Sequence, residues 1–134
     1  MLDTRTDISG FVNRGGKLLL AHGVHDVLVS TRATEDYYQR LQAQFGASKV
    51  QDFARFYEVP GFGHGTSTTF NATWESLGAL EQWAEAGVAP THQVVKDSYR
   101  TPTRSRPLCD YPQWPRYKGS GATTDAASFT CGTS

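Results

Sequence analysis

The sequence has little cysteine, no excess of charge of either sign and no long hydrophobic run. Its 134 residues carry 13 basic and 13 acidic side chains, so the formal net charge is zero. No field of one sign favours a nucleic acid or an acidic membrane surface. The longest apolar run, LLLA at residues 18–21, is too short to span a bilayer. We therefore expect neither a nucleic-acid partner nor a membrane protein.

The first ten residues, MLDTRTDISG, are polar and acidic, so no secretory signal peptide is expected in this chain. The length suits one domain better than two. The hydrophobic fraction of 38% supports a modest core and argues against disorder along the whole chain.

The two cysteines, Cys109 and Cys131, both lie near the C-terminus. Neither belongs to a CxxC pair, which argues against a zinc knuckle or a thioredoxin motif. The pattern is compatible with one disulfide around a segment rich in proline, glycine and arginine, or with two unpaired thiols. A disulfide would indicate an oxidising compartment.

Segments of strand and helix character alternate along the first two thirds of the chain. Residues 15–22, GGKLLLAH, and residues 53–59, FARFYEV, predict two strands. Residues 31–46 and 73–87 predict two amphipathic helices. This order predicts an α/β fold with a parallel strand-helix-strand-helix arrangement. The apolar stripe of the second helix comprises Trp74, Leu77, Leu80 and Ala84.

Residues 97–134 hold four of the six prolines and show no helical or strand periodicity. They predict a long coil tail, so the chain divides into a core at 1–96 and an irregular tail at 97–134. A parallel sheet of two strands leaves faces and edges without partners. We therefore expect a homo-oligomer or pairing with an N-terminal chain that these residues do not include.

A polar side chain follows each predicted strand. Asp26 comes just after the first strand, and His64 lies in the glycine-rich stretch VPGFGHGT after the second. Ligands in open α/β sheets gather beyond the carboxyl ends of the strands. An aspartate beside a histidine is the acid–base pair of a nucleophilic triad, in the chain order of α/β-hydrolases. A turn-forming aspartate and a surface histidine are the alternative interpretation.

Two further patterns have weaker functional interpretations. His22 and His25 could form a metal site with Asp26 and His64, but the HxH and HExxH spacings of hydrolytic metal sites are absent. His22 is instead expected to end the strand, and His25 to line the mouth of a pocket or lie in solvent. Asn71 begins an N-glycosylation sequon, NAT.

Several stretches together resemble one family. They are GGKLLLAHGVHD, ATEDYY, FARFYEVPGFGHG, LEQWAEAGVAP and the tail RPLCDYPQWPRYKGSGATTDAASFTC. The chain resembles the C-terminal part of the tannase and feruloyl esterase family, secreted α/β-hydrolases that cleave esters of phenolic acids. The resemblance covers nearly the whole chain and implies the C-terminal portion of an α/β-hydrolase fold.

The resemblance also implies site residues, a substrate and a location. Asp26 matches the triad acid, His64 the triad base, and Cys109 with Cys131 a disulfide of the family. The substrate would be a small-molecule aromatic ester, with Phe62 packing on its phenolic acyl group or serving only as a loop anchor. The location would be secreted or periplasmic. The calcium-binding lid region of the family has no counterpart here, so no metal and no cofactor are implied.

The chain departs from the family in two places. No GxSxG nucleophile elbow occurs, and Gly65 stands where many members have a cysteine. The leading hypothesis is that the chain supplies the acid and base of a serine esterase whose nucleophile lies elsewhere. The alternative is a non-catalytic truncated fragment or interaction module. Weak activity through Ser67 is a third interpretation.

Overall fold

The computed structural model describes residues 5–133 of the chain. Residues 1–4 and residue 134 lie outside this range. Residues 1–4 belong to the stretch in which no signal peptide is expected. The helices are α1 (Ser9–Asn13), α2 (Thr31–Phe45), α3 (Ala47–Gln51) and α4 (Ser76–Ala86), with a 3₁₀ turn at Ala126–Ser128. The strands are β1 (Leu18–Gly23), β2 (Ala54–Val59), β3 (Ala72–Thr73), β4 (Val94–Asp97), β5 (Ser105–Pro107), β6 (Trp114–Tyr117) and β7 (Phe129–Gly132).

Strands β1 and β2 form the parallel pair that the apolar runs predict. Leu18 lies opposite Ala54, and Gly23 lies opposite Val59. Helix α2 connects the two strands and ends at Gly46, as the periodicity indicates. The α/β architecture is confirmed, and the pairing directs the carboxyl ends of both strands to one edge of the sheet.

Strand β2 is buried on both faces, because its side chains alternate between two core clusters. Phe56 packs into the first cluster with Tyr38 and Leu41 of α2. Tyr57 packs into the second cluster with residues of β4 and of the segment after β5. The strand that leads to His64 is therefore the best-anchored element in the fold.

Helix α4 differs from its predicted bounds and from its predicted buried face. It begins at Ser76, because Ala72 and Thr73 pair with β4 and extend a second sheet. Trp83 is its buried residue, whereas Leu77 is 69% exposed. The three- and four-residue spacing of the apolar stripe predicts a helix, but the face that meets the core depends on the neighbouring layers.

The tail also differs from the coil that its composition predicts. Strand β5 adds to β4, and β6 pairs with β7 in an antiparallel ribbon. Each of these strands has three or four residues and two of them contain proline, so none shows a periodic pattern. Cys109 and Cys131 form a disulfide with their Cα atoms 5.4 Å apart, which confirms the predicted bridge.

A buried carboxylate joins the second sheet to the tail. Asp97 is 1% exposed and accepts hydrogen bonds from the guanidinium of Arg104 and the backbone N–H of Asn71. Burial alone would raise the pKa of Asp97, but these hydrogen bonds lower it overall. The carboxylate therefore stays charged and holds the ends of β3 and β4 against the start of the tail.

The sequon asparagine is part of the same buried network. The side-chain Nδ2 of Asn71 donates to Ser98 Oγ at 2.7 Å, and its Oδ1 accepts from the Ser67 backbone at 3.0 Å. The residue is 7% exposed. An asparagine bound on both sides of its amide is not accessible to a glycosyl transferase in the folded chain.

The two edges of the parallel pair differ. At the outer edge of β2, the backbone N–H of Tyr111 donates to the Phe56 carbonyl at 2.8 Å. At the outer edge of β1, no strand within residues 5–133 pairs with it.

None of the helices in the same range has the length and apolar character needed to cross a membrane.

The disulfide gives a prediction about stability. It closes a loop with a sequence separation of 22, so its removal should lower the free energy of unfolding by about 3 kcal/mol. Urea denaturation of a Cys109→Ala, Cys131→Ala double variant should show this loss, and the wild-type chain in reductant should match the variant. Two titratable thiols in the native protein without reductant would contradict the prediction.

Candidate functional site

The pairing of β1 and β2 brings two loops together at the carboxyl edge of the sheet. Beyond the paired Gly23 and Val59, the N–H of Val24 still donates to the Val59 carbonyl at 3.1 Å. A Cβ atom on Gly23 would lie 2.4 Å from the carbonyl oxygen of Phe62. Only glycine permits this approach, so the bare backbone at residue 23 lets the second loop pass directly over the first.

The structure brings Asp26 and His64 into contact, as the positions of the two loops predict. The Nδ1 atom of His64 lies 2.9 Å from the Oδ2 atom of Asp26. The Asp26 side chain is 6% exposed and that of His64 is 52% exposed. The acid is therefore held inside the site, while the imidazole reaches into solvent.

Backbone donors keep Asp26 ionised. Its Oδ1 atom accepts the N–H groups of Val29 at 2.9 Å and of Leu28 at 2.8 Å. The hydrogen bond from Val29, with those from His64 and Leu28, holds the pKa of Asp26 well below its ordinary range. A carboxylate can only accept hydrogen bonds, so the Nδ1 atom of His64 carries a proton and donates it. The Nε2 lone pair of His64 is then available, and this nitrogen has no hydrogen-bond partner among residues 5–133.

His22, which the sequence predicts only as the end of the strand, also belongs to the site. Its Nε2 atom lies 3.1 Å from the Val29 carbonyl and 3.3 Å from Asp26 Oδ2, and its Nδ1 atom lies 2.7 Å from Thr34 Oγ1. The ring therefore lies against Oδ2, the same carboxylate oxygen that His64 contacts, whereas the backbone donors bind Oδ1. The contact forms because the chain turns after β1 and returns Asp26 toward the end of the strand, which residue spacing alone does not indicate.

His25 belongs to the same edge but does not contact Asp26 through its ring. Its Nδ1 atom accepts the backbone N–H of Gly61 at 3.1 Å. This bond directs the His25 ring to the loop backbone. The ring therefore does not join His22, Asp26 and His64 in the alternative metal site. Among the described residues, no cluster of three or more His, Cys, Asp or Glu side chains is suited to a metal ion.

Phe62 and Ser67 have local contacts in the structure. Phe62 is partly buried and packs against the second core cluster, which is the arrangement of a loop anchor. Its contact with a substrate stays a prediction. The Ser67 hydroxyl donates to the Gly61 carbonyl at 2.8 Å and accepts the N–H of Thr69 at 3.2 Å. That hydroxyl closes a turn, so its proton is directed away from an imidazole base.

An open cleft of about 550 Å³ lies beside His64. Three of its lining residues form an apolar rim around the imidazole: Val27 is 91% exposed, Leu28 is 73% exposed and Tyr99 is 69% exposed. Exposed apolar side chains next to a polar group are typical of a surface that binds another molecule.

A second carboxyl group near the site has the opposite protonation state from Asp26. Glu58, near the end of β2, is 6% exposed, and one of its oxygens has no hydrogen-bond partner among the described residues. Burial and the neighbouring carboxyl of Glu35 raise the pKa of Glu58 to about 7. Glu58 therefore holds a proton at mildly acidic pH, whereas Asp26 does not.

Comparisons with known proteins identify the family. The sequence profile of the family described as tannase and feruloyl esterase matches residues 1–132. An uncharacterized esterase of Agrobacterium fabrum is 45% identical over 130 residues, which are 96% of this chain and 23% of that protein. Mono(2-hydroxyethyl) terephthalate hydrolase of Piscinibacter sakaiensis is 39% identical over 132 residues, which are 96% of this chain and 22% of that protein.

Solved structures extend the comparison to the fold. The crystal structure of feruloyl esterase B from Aspergillus oryzae superposes with a TM-score of 0.81 at 28% identity, over 95% of this chain and 29% of that one. The fold is thus part of an α/β-hydrolase. The chain belongs to the tannase and feruloyl esterase family, and it spans less than a quarter of the two curated relatives above.

The protonation of Glu58 gives a prediction about pH. Its folded pKa of about 7 lies above the ordinary value of 4.5, so the folded chain binds more protons than the unfolded chain between these values. The contribution of Glu58 to stability is full below about pH 4.5 and is lost as the pH rises through 7. Glu58→Gln should flatten this part of the stability profile measured by urea denaturation.

Glu81→Gln is the matched control, because Glu81 is exposed on α4. It should leave the pH profile of the unfolding free energy as in the wild type. A Glu58→Gln profile that keeps the full wild-type slope between about pH 5 and pH 8 would show that another group is responsible.

Proposed function

We propose that this chain supplies the acid and the base of a serine-type carboxylic ester hydrolase. The observation that carries the proposal is the 2.9 Å contact from His64 Nδ1 to a buried Asp26 carboxylate, with the opposite ring nitrogen open to solvent. Membership of a family whose named relatives are esterases supports the same reaction class.

The chemistry follows from the protonation states. His64 Nε2 takes the proton from a serine hydroxyl as the serine oxygen bonds to the ester carbonyl carbon. Asp26 stabilises the imidazolium that results. His64 then gives the proton to the leaving alcohol oxygen as the carbon–oxygen bond of the ester breaks. In the second half, His64 takes a proton from water as the water oxygen bonds to the acyl carbon. His64 then gives that proton to the serine oxygen as the acyl–serine bond breaks, which releases the acid and restores the serine hydroxyl.

We infer that the substrate is an ester of an aromatic carboxylic acid. The apolar rim of Val27, Leu28 and Tyr99 offers contact area for a flat ring next to the base. Two of the relatives named above are a feruloyl esterase and a terephthalate ester hydrolase, and both names refer to aromatic acyl groups. The disulfide supports a secreted or periplasmic location.

The proposed nucleophile comes from beyond these 134 residues or from another chain. The sequence contains no GxSxG, and the hydroxyl of Ser67 is engaged with the Gly61 carbonyl. We therefore expect the isolated chain to turn over esters very slowly, because the members of a triad act as a unit.

The triad proposal predicts large losses of activity. In the enzyme that contains the serine, Asp26→Asn should lower kcat by about 10⁴-fold, since an amide favours the wrong imidazole tautomer. His64→Ala should cost at least as much. The measurement is hydrolysis of p-nitrophenyl esters and of methyl esters of phenolic acids.

His92→Asn is the control, because His92 is exposed, lies away from the site and has a positive φ that asparagine tolerates. It should keep wild-type turnover. Strong turnover that survives His64→Ala would exclude the triad mechanism. Turnover by the isolated chain that is lost in both His64→Ala and Ser67→Ala would instead assign the nucleophile to Ser67.

A second candidate function, that of a non-catalytic interaction module, is favoured by the open outer edge of β1. Backbone N–H and C=O groups on an unpaired edge bind other strands readily. This function predicts self-association that Ala21→Lys on β1 weakens and Ala84→Lys on α4 does not, measured by light scattering over a range of concentrations. A monomer at all concentrations, with cooperative unfolding, would count against it.

A further inference from the structure

The loop that carries His64 is anchored at Gly61 and Phe62 and has few contacts at His64 and Gly65. We call residues 60–65 the His64 loop; it contains glycines at 61, 63 and 65. Nothing lies within 4 Å of the position that a Cβ atom would take on Gly65. Among residues 5–133, the only side-chain hydrogen bond of His64 is to Asp26. The position of the imidazole therefore depends on the contacts that fix the loop backbone.

His25 makes two of those contacts. Its backbone N–H donates to the Phe62 carbonyl at 2.9 Å. Its ring Nδ1 atom accepts the N–H of Gly61 at 3.1 Å. One residue, adjacent to the triad acid in sequence, thus holds two consecutive residues of the loop that carries the base.

The His25 side chain supplies an acceptor for the Gly61 N–H, because the parallel pairing of β1 with β2 ends before Gly61. The last paired residues are Gly23 and Val59, so the N–H of Gly61 lies outside the ladder, and its acceptor is the ring of His25. Gly61 is buried and has a φ of +79°, which turns its N–H toward the loop after β1. A buried N–H needs an acceptor, and the imidazole of His25 takes the place of a backbone carbonyl.

We propose that His25 is a positioning residue for His64. Its Nδ1 lone pair fixes the Gly61 amide, and through Gly61 and Phe62 it sets the distance from His64 Nδ1 to Asp26. The role as a positioning residue rests on the proposed function, in which His64 is the base. The hydrogen bond itself is independent of that function.

The first test needs no variant. In the ¹⁵N-labelled chain, a scalar coupling between the Gly61 amide nitrogen and His25 Nδ1 should be visible by NMR, because the hydrogen bond joins two nitrogens. Its absence in the folded wild-type chain would overturn the proposal.

The second test compares three substitutions. The side-chain oxygen of asparagine falls close to the place of Nδ1, whereas that of glutamine falls near the place of Nε2. In His25→Ala and His25→Gln, hydrogen exchange of the Gly61 amide should accelerate roughly tenfold, and the His64 Nδ1–H signal should broaden. His25→Asn should retain both properties, and His92→Asn should match the wild type.

The outcomes separate positioning from general stability. A merely structural role would lower the melting temperature of all three His25 variants and leave the His64 signal sharp in the folded protein; that result overturns the proposal. If His25→Ala does not fold, the comparison of His25→Asn with His25→Gln tests the positioning role. Ester hydrolysis that is insensitive to His64→Ala would refute the proposed function and leave these NMR signals unchanged, so the two failures are distinguishable.

Discussion

The parallel pairing of β1 with β2 is the constraint on which the rest of the site depends. It sets Gly23 opposite Val59, and every functional contact lies within a few residues of that pair. Strand β2 is anchored on both faces by the two core clusters, so the point where its loop begins is fixed. The close approach at Gly23 then brings the two loop backbones into direct contact. The sheet thus brings Asp26 and His64 to the same edge, and the contacts between the two loops hold the side chains within hydrogen-bond distance.

Two carboxyl groups near this edge show how the local environment determines charge. Asp26 receives two backbone N–H groups and the Nδ1–H of His64, so its ionised form is favoured. Glu58 is buried without such donors and lies beside the carboxyl of Glu35, so its neutral form is favoured. Burial favours the neutral form of both groups, and at Asp26 the hydrogen-bond donors outweigh it. Different protonation states side by side are a common basis of acid–base chemistry.

The sequence predicts the parts of this fold that rest on local patterns. The runs that became β1, β2 and α2 have clear periodicity, and topology alone places Asp26 near His64. The exposed position of Leu77 on α4 was not predictable, since it depends on which layers cover the helix. The strands of the tail are too short for a pattern and pair over long separations. The bond from Gly61 to His25 depends on loop geometry, which residue spacing does not encode.

The unequal edges of the parallel pair limit how copies of this chain can assemble. The segment around Tyr111 covers the outer edge of β2, whereas β1 has no strand beside it within the described residues. A sheet with a single open edge can accept one further strand. Two copies that join edge to edge use up both open edges, which gives a closed pair with twofold symmetry. Within this sheet, a further strand can therefore add beside β1, whereas the Tyr111 segment already occupies the edge of β2 at Phe56.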